Sequence, residues 1–218
     1  MRFTDRIDAG KRLAALLDDH TGADVVVLAL PRGGVPVARE VARALEAPLD
    51  VLGVRKLGAP QQPEFGIGAI AEGGIRVVDR ESAEMAGLDE QAIAGLEARE
   101  REELQRRVRR YRGDRQLPRL SGRTVIVVDD GLATGVTARA ACRAVRAHDP
   151  ERLILAVPVA PPRSVEALRR EADEVVAVLT PASLMSVGGW YDVFDQVSDD
   201  EVLRLLEEAR STAERTSS

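Results

Sequence analysis

Hydrophobic and polar positions divide most of the chain into two alternating kinds of segment. Short apolar runs, typical of parallel strands buried on both faces, cover residues 25–30, 49–54, 125–128, 153–159 and 175–179. Apolar residues recur at helical spacing in residues 3–20, 35–46, 138–147, 161–170 and 198–210. Strands that alternate with helices predict an α/β fold, with a mostly parallel central sheet and helices on both faces. In such a sheet, ligands bind beyond the carboxyl ends of the strands.

Other segments interrupt this alternation within what we expect to be a single domain, residues 1–218. Residues 57–66, LGAPQQPEFG, are rich in Gly, Pro and Gln and predict a long flexible loop, which often acts as a lid. Residues 67–71 and 75–78 flank a Glu-Gly-Gly turn and predict a β-hairpin at the base of that loop. A helical insertion rich in Glu and Arg is predicted at about 80–112, and a small C-terminal hood and tail at about 181–218.

Two groups of charged residues on predicted helices allow two interpretations each. Asp5, Arg6 and Asp8 are either functional or part of a solvated first turn, and the solvated turn fits an amphipathic helix better. The run Arg106-Arg107-Val108-Arg109-Arg110 either reaches a polyphosphate or a partner subunit, or forms a solvated face, which the usual exposure of Arg favours.

Composition narrows the functional classes. The 218 residues include 31 Lys and Arg against 36 Asp and Glu, for a formal net charge of −5. We expect no nucleic-acid surface, because such surfaces need a basic excess. The single cysteine allows no disulfide within the chain, and the two histidines lie at predicted helix ends, which argues against a zinc site. With no long apolar run and no signal pattern, we expect a soluble cytoplasmic protein without a membrane segment.

The stretch VIVVDDGLATGVT, residues 125–137, carries the clearest chemical pattern. A buried strand is followed by Asp129 and Asp130, by a short loop, and by the start of a helix. Loop amides and the Thr134 and Thr137 hydroxyls can hold a phosphate at the helix N-terminus, while the two carboxylates accept hydrogen bonds from sugar hydroxyls. An Asp-Asp pair before a glycine also serves simply as a turn and helix cap, and spacing alone leaves both interpretations open.

Two further positions offer groups for phosphate. The strand at 25–30 ends in Pro31-Arg32-Gly33-Gly34, where paired glycines allow a close backbone approach and Arg32 offers a fork of donors. A tight strand-to-helix turn needs glycine anyway, so this motif is weak alone. Arg55 and Lys56 follow the strand at 49–54. Lys56 is one of two lysines in an arginine-rich chain, which suits either a phosphate contact or an ordinary surface position.

Together, the stretches LPRGGVPVA, VRKLGAP and VIVVDDGLATGVT resemble the type I phosphoribosyltransferases, an uncharacterised bacterial branch above all. The resemblance implies the fold of that family and binding of 5-phosphoribosyl 1-diphosphate (PRPP). Asp129 and Asp130 would face the ribose hydroxyls, and Arg32, Gly33, Gly34, Arg55 and Lys56 the pyrophosphate. The 5-phosphate loop would comprise Ala133, Thr134, Gly135, Val136 and Thr137. Many family members carry a hydroxyl residue where this chain has Ala133, and many carry a non-proline cis peptide in the pyrophosphate loop.

The implied activity is transfer of the phosphoribosyl group to a small-molecule acceptor, often a nucleobase, with release of pyrophosphate. Asp129, Asp130, Lys56 and Arg32 would be the catalytic residues. The implied cofactor is Mg²⁺, held mainly by PRPP and water, with Asp129 and Asp130 as the only candidate protein ligands.

The acceptor and the assembly are open at this point. Val187, Trp190 and Tyr191 lie in a glycine-bearing loop with half of the aromatic residues, and they are the candidates for the acceptor site. Aromatic rings there either stack on a planar acceptor or pack against a second subunit, and a homodimer is common among resembling enzymes. No residue is an obvious general base. A non-catalytic sensor of PRPP or a nucleotide, built on the same fold, is the alternative function.

Overall fold

The computed structural model describes residues 2–216 and, within them, every side chain except those of residues 63, 64 and 212–216. The last two residues of the predicted tail therefore lie outside the described residues. The helices are α1 (Arg6–Ala14), α2 (Gly34–Ala44), α3 (Arg80–Met85), α4 (Glu90–Arg112), α5 (Val136–Arg146), α6 (Pro162–Leu168) and α7 (Asp199–Thr216). The strands are β1 (Val25–Ala29), β2 (Leu49–Val51), β3 (Val54–Ala59), β4 (Gln62–Ala71), β5 (Arg76–Val78), β6 (Thr124–Val128), β7 (Arg152–Val159) and β8 (Glu174–Leu179).

The central sheet has five parallel strands in the order β2-β1-β6-β7-β8, which confirms the predicted α/β architecture. After β1 the chain passes through α2 to β2 on one side, whereas after β6 it passes through α5 to β7 on the other. The boundary between β1 and β6 is therefore the topological switch point of the sheet, where open α/β sheets bind their ligands. The loop with Arg32, Gly33 and Gly34 follows β1, and the loop with Asp129 and Asp130 follows β6.

Both faces of the sheet are covered, because successive strand residues point to opposite sides. Val125 and Val127 of β6 pack in the core that contains α5, and Ile126 and Val128 pack in the core that contains α1, α2 and α7. All four side chains are fully buried, as the continuous apolar run predicts for a parallel strand.

A second sheet of three antiparallel strands, β3-β4-β5, corrects the prediction at 57–66. This segment is not a long loop: most of it lies in β3 and β4, which pair with each other. Leu57 and Ile67 are fully buried in a third core beside α3 and α4. Burial of these two side chains and the inter-strand hydrogen bonds outweigh the local preference of Gly and Pro for a loop. The predicted hairpin of residues 67–71 and 75–78 is present in β4 and β5.

The predicted strand at 49–54 is divided between the two sheets. β2 ends at Val51 in the central sheet, and Val54 begins β3 in the second one. At the point of division the amide of Gly53 donates a 2.6 Å hydrogen bond to Glu72 Oε1. The sequence shows one apolar run here because both parts are buried, in different cores.

The insertion at 80–112 forms α3 and α4, separated at Gly87, whose φ of 67° favours glycine. Its last residue, Arg112, is only 4% exposed and donates from Nη1 to Glu72 Oε2 over 2.6 Å.

In the arginine run, hydrogen bonds from Arg106 and Arg107 lower the pKa of the Glu103 carboxyl to about 2. These two arginines therefore pair within their own helix.

The hood contains both ends of the described chain. The amide of Phe3 donates to the Trp190 carbonyl oxygen over 2.9 Å, and the amide of Asp192 donates to the Phe3 carbonyl oxygen over 2.8 Å. The first helix is shorter than the predicted 3–20, because Asp5 caps α1 at its start and the helix ends at Ala14. The residues before Asp5 therefore lie outside the helix, and Phe3 pairs with the loop at 190–192.

Candidate active site

The loops that follow β1 and β6 lie against each other at the switch point. A β-carbon at Gly33 would lie 2.0 Å from Asp130 Oδ2, and one at Gly34 would lie 2.7 Å from the Val128 carbonyl oxygen. Glycine is therefore required at both positions by this close approach. The peptide bond between Pro31 and Arg32 is cis, as is common in the family that the sequence resembles.

The loop between β6 and α5 presents a helix N-terminus. Gly135 precedes α5 with a φ of 76°, and the helix begins at Val136. Among the described residues, no side chain caps this end, so the first amide groups remain available to an anion. The loop is anchored from behind, because Ser164 Oγ donates to the Ala133 carbonyl oxygen over 2.7 Å and the Leu132 amide donates to the Val159 carbonyl oxygen over 2.8 Å.

The two carboxylates at the end of β6 differ in their partners. Burial, and then the negative charge of Asp130, raise the pKa of Asp129 well above its ordinary value. Asp129 Oδ1 accepts a 2.9 Å hydrogen bond from the Asp130 amide. Burial also raises the pKa of Asp130, but Arg6 opposes this effect. Asp129 is therefore the carboxylate with less charge compensation.

Arg6 belongs to the site, which corrects the prediction of a solvated first turn. Its Nε donates to Asp130 Oδ2 over 2.9 Å, and its Nη1 donates to the Asp195 carbonyl oxygen over 2.8 Å. The guanidinium carbon lies 3.8 Å from the centre of the Phe194 ring, and the side chain is 11% exposed. The helical pattern of α1 carries no signal for this role, because the partners of Arg6 come from distant parts of the chain.

Asp129 and Asp130 together form the acid pair of the site. A cavity of about 400 Å³ opens beside Asp130. Its lining comprises Arg6, Arg32, Gly33, Asp130, Phe194, Gln196 and Val197. Arg32 Nη1 lies 3.8 Å from Asp199 Oδ1, at the start of α7. The cavity thus joins the loop after β1 and the acid pair to side chains from the N-terminal helix and the C-terminal hood.

Tyr191 supports the acid pair from the hood. Its hydroxyl donates a 2.6 Å hydrogen bond to the Asp130 carbonyl oxygen, and its ring centre lies 5.2 Å from that of Phe3 and 4.9 Å from that of Phe194. Burial raises the pKa of this hydroxyl. With 4% of its surface exposed, Tyr191 presents little ring surface to an acceptor, and its contact with one stays a prediction.

The other two acceptor candidates have different surroundings. Val187 lies against Gly131, where a β-carbon would come within 2.6 Å of Val187 Cγ1. Trp190 is half-buried against the apolar cluster of the hood. Neither lines the cavity among the described residues, whereas Phe194 does. Their contact with an acceptor stays a prediction.

Comparisons with known proteins show which family the chain belongs to. A sequence model of the phosphoribosyl transferase domain matches residues 3–184. The chain belongs to the type I phosphoribosyltransferase family. A curated relative from Mycobacterium tuberculosis (strain ATCC 25618 / H37Rv), named "Putative phosphoribosyl transferase Rv0571c", is 51% identical over 207 residues, which cover 95% of this chain and 47% of the relative. The chain thus spans about half the length of the curated relatives it matches. The crystal structure of TT1426 from Thermus thermophilus is 45% identical, has a TM-score of 0.79, and is covered over 99% of its length by 95% of this chain.

Two predicted pyrophosphate residues of this family member lie in the second sheet. The prediction that Arg55 follows the end of a central strand is wrong, because Arg55 lies within β3, where its Nε donates to Glu100 Oε2 over 2.7 Å. The side chain of Lys56 extends beside Gly66 on the neighbouring strand. Neither residue is among the described residues that line the cavity. Their contact with pyrophosphate stays a prediction.

The carboxylates of the site suit a metal ion that takes most of its ligands from the substrate and from water. Over the described part of the chain, no group of three or more His, Cys, Asp or Glu side chains is placed to hold a metal ion. Asp129 and Asp130 offer two neighbouring carboxylates, and Arg6 already occupies one oxygen of the pair. Such a pair fits Mg²⁺ that is held mainly by phosphate oxygens and water.

None of the described helices has the length and apolar character needed to cross a membrane.

Proposed function

We propose that this protein binds PRPP and transfers its 5-phosphoribosyl group to a small-molecule acceptor, releasing pyrophosphate. One observation carries the proposal: the uncapped N-terminus of α5 follows, after a short loop, two half-buried carboxylates at the switch point of the sheet. A site for an anion therefore lies next to a site for hydroxyl groups. PRPP likewise carries its 5-phosphate next to the two ribose hydroxyls. Membership of the family supports the same reaction.

Each part of PRPP has a matching group in this proposal. The amides of residues 133–137, with the Thr134 and Thr137 hydroxyls, hold the 5-phosphate. Asp129 and Asp130 accept hydrogen bonds from the ribose hydroxyls. The loop of Arg32, Gly33 and Gly34 binds the pyrophosphate, and Arg55 and Lys56 are the further candidates for this contact.

The reaction exchanges one bond at the anomeric carbon of the ribose. The bond from this carbon to the pyrophosphate oxygen breaks, its electron pair leaves with pyrophosphate, and the acceptor nucleophile forms the new bond. Asp129 and Asp130 hold the ring while positive charge develops on it, and the Arg32 guanidinium offsets the charge of the leaving group. Bound Mg²⁺ supplies further positive charge to the pyrophosphate. An acceptor N–H gives its proton to water, unless the acceptor arrives ionised.

A sensor that binds PRPP without turnover is the second candidate. It is favoured by the cavity lining, in which the Asp130 carboxylate is already paired with Arg6 and the described lining residues include no His or Lys. A cytoplasmic location suits either function, since a chain with one cysteine, Cys142, forms no internal disulfide.

Calorimetry and a product assay distinguish the two candidates. PRPP is titrated into the protein with Mg²⁺, and pyrophosphate release is then measured across purines, pyrimidines, small amines and aromatic acids. The proposal predicts saturable PRPP binding and pyrophosphate release that depends on one class of acceptor. Binding without release in the presence of every acceptor would favour the sensor, and absence of PRPP binding would contradict both.

A further inference from the structure

We infer that the acceptor is a planar molecule with a carboxylate, and that Arg6 binds this carboxylate in the cavity beside Asp130. The inference rests on the proposed function and adds the chemical class of the second substrate. It depends on the position of Arg6, which is 11% exposed and faces the same cavity as Arg32 and Asp130.

Binding of PRPP changes the surroundings of Arg6. Asp130 Oδ2 accepts the 2.9 Å hydrogen bond from Arg6 Nε, yet the proposed function assigns the same carboxylate to the ribose hydroxyls. Sharing this carboxylate weakens the charge compensation of Arg6. A poorly compensated guanidinium in a largely buried position is costly, so a second anion beside it is strongly favoured.

The acceptor is the source of this second anion. The phosphate groups of PRPP have their own partners in the proposed arrangement, at the N-terminus of α5 and at the loop of Arg32. The remaining space is bounded on the hood side by Arg6, Phe194, Gln196 and Val197. Arg6 Nε donates to Asp130 and Nη1 donates to the Asp195 carbonyl oxygen, so an acceptor that enters this space meets the remaining N–H groups of Nη1 and Nη2. A carboxylate can accept from both of these nitrogens.

The apolar side of the cavity suits a flat ligand. The Arg6 guanidinium lies 3.8 Å from the centre of the Phe194 ring, and Phe194 and Val197 add apolar surface to a cavity of about 400 Å³. Flat ligands pack well on such a surface, because aromatic rings and guanidinium groups both stack on planar partners. Gln196 adds an amide that can donate to or accept from a ring substituent.

The test compares acceptors that differ only in charge. Pyrophosphate release is measured with PRPP and Mg²⁺ for three pairs: nicotinate and nicotinamide, orotate and uracil, anthranilate and aniline. The inference predicts that in at least one pair kcat/KM is higher for the acid by about tenfold or more, the usual size of a charge-assisted contact. The acid of that pair also binds the protein in the presence of PRPP, as measured by calorimetry.

Variants of two arginines on α1 assign the preference to Arg6. Arg6→Gln lowers the ratio of acid to neutral kcat/KM by about tenfold, and Arg6→Lys, which keeps the charge without the fork, retains part of it. Arg12→Gln is the matched control, because Arg12 lies on the same helix with its guanidinium 4.5 Å from the Phe3 ring centre but outside the cavity. It leaves the ratio unchanged. Because the readout is a ratio, a general loss of folded protein does not imitate the effect.

The inference and the proposed function fail in different ways. Equal or better turnover of the neutral member of every pair, or an equal loss of both members in Arg6→Gln, overturns the inference and leaves phosphoribosyl transfer intact. Failure of all three acids to bind beside PRPP also overturns it. If PRPP itself does not bind, the proposed function fails, and the inference that rests on it fails too.

Discussion

The hydroxyl of Tyr191 donates a 2.6 Å hydrogen bond to the backbone carbonyl oxygen of Asp130, which attaches the C-terminal hood to the acid pair. The same residue forms a β-bridge with Phe3 near the N-terminus, so the N-terminal segment and the hood together support the backbone of Asp130. Hood and sheet are therefore coupled through the backbone of the candidate site, and changes in the hood should reach the acid pair.

Tyr191→Phe should impair function more than stability. The ring keeps its packing against Phe3 and Phe194, but the Asp130 carbonyl oxygen loses its partner. We expect a stability loss of about 1 kcal/mol in urea unfolding and a fall in kcat/KM for PRPP of roughly threefold to tenfold. Tyr111→Phe, which removes the hydrogen bond to Asp199 Oδ1, serves as the comparison for stability. An unchanged kcat/KM in Tyr191→Phe would contradict the coupling.

Asp129→Asn should abolish PRPP binding while stabilising the protein at neutral pH. Because the folded chain holds a proton on Asp129 more tightly than the unfolded chain does, the free energy of unfolding decreases as the pH rises from the ordinary carboxyl value of 3.8 through the raised pKa. Asn removes this loss and keeps the acceptor for the Asp130 amide. We expect a gain on the order of 1 kcal/mol at pH 7.

The pH dependence provides the control for this prediction. Urea unfolding from pH 4 to 8 should show that the advantage of Asp129→Asn over the natural chain grows with pH. Asp130→Asn should be less stable than Asp129→Asn, because it leaves Arg6 without a carboxylate partner. An advantage that shrinks as the pH rises would show that the charge on Asp129 stabilises the fold.

Gly33→Ala should damage the contact between the two loops. The added β-carbon would lie 2.0 Å from Asp130 Oδ2, so one loop must move. We expect a loss of stability of about 1–3 kcal/mol and PRPP binding weakened by roughly tenfold or more. Gly95→Ala, at an open position of α4, should instead be neutral or stabilising by about 0.5–1 kcal/mol. Full PRPP affinity in Gly33→Ala would show that the loops need not touch.

Thr134→Ala should weaken the hold on the 5-phosphate without disturbing the fold. Thr134 is exposed beside the uncapped end of α5, so its hydroxyl is available to the ligand. We expect KM for PRPP to rise by about fivefold to tenfold, with little change in kcat or in Tm. Thr21→Ala is the matched control, because Thr21 is also exposed but precedes the amino-terminal end of β1, opposite the end where the site lies. This variant should change neither KM for PRPP nor Tm. A KM that stays the same in both variants would argue against a phosphate site at this loop.

The central sheet and its two loops could be predicted because their signals are local. The apolar run before Asp129, the glycines after β1 and the helix start at Val136 each follow from neighbouring residues. Arg6 and the hood could not be predicted in this way, because the contact between Arg6 and Asp130 joins positions 124 residues apart. No periodicity in α1 reports such a partner.

The error at 57–66 has a different cause. Gly, Pro and Gln favour a loop locally, but pairing between β3 and β4 satisfies the backbone, and Leu57 and Ile67 are fully buried. Strand formation there depends on a partner strand and on α4, which lies far along the chain. Local composition therefore predicted the wrong state for this segment, and with it the wrong position for Arg55.

In the proposed complex, Asp129 and Asp130 bind the ribose hydroxyls of PRPP, and the N-terminus of α5 binds its 5-phosphate. A crystal structure of the protein with PRPP and Mg²⁺ tests this most directly. The account predicts the 5-phosphate on the amides of residues 133–137 and the ribose hydroxyls within hydrogen-bonding distance of Asp129 and Asp130. PRPP bound away from these residues, or a vacant cleft at saturating PRPP, would contradict it.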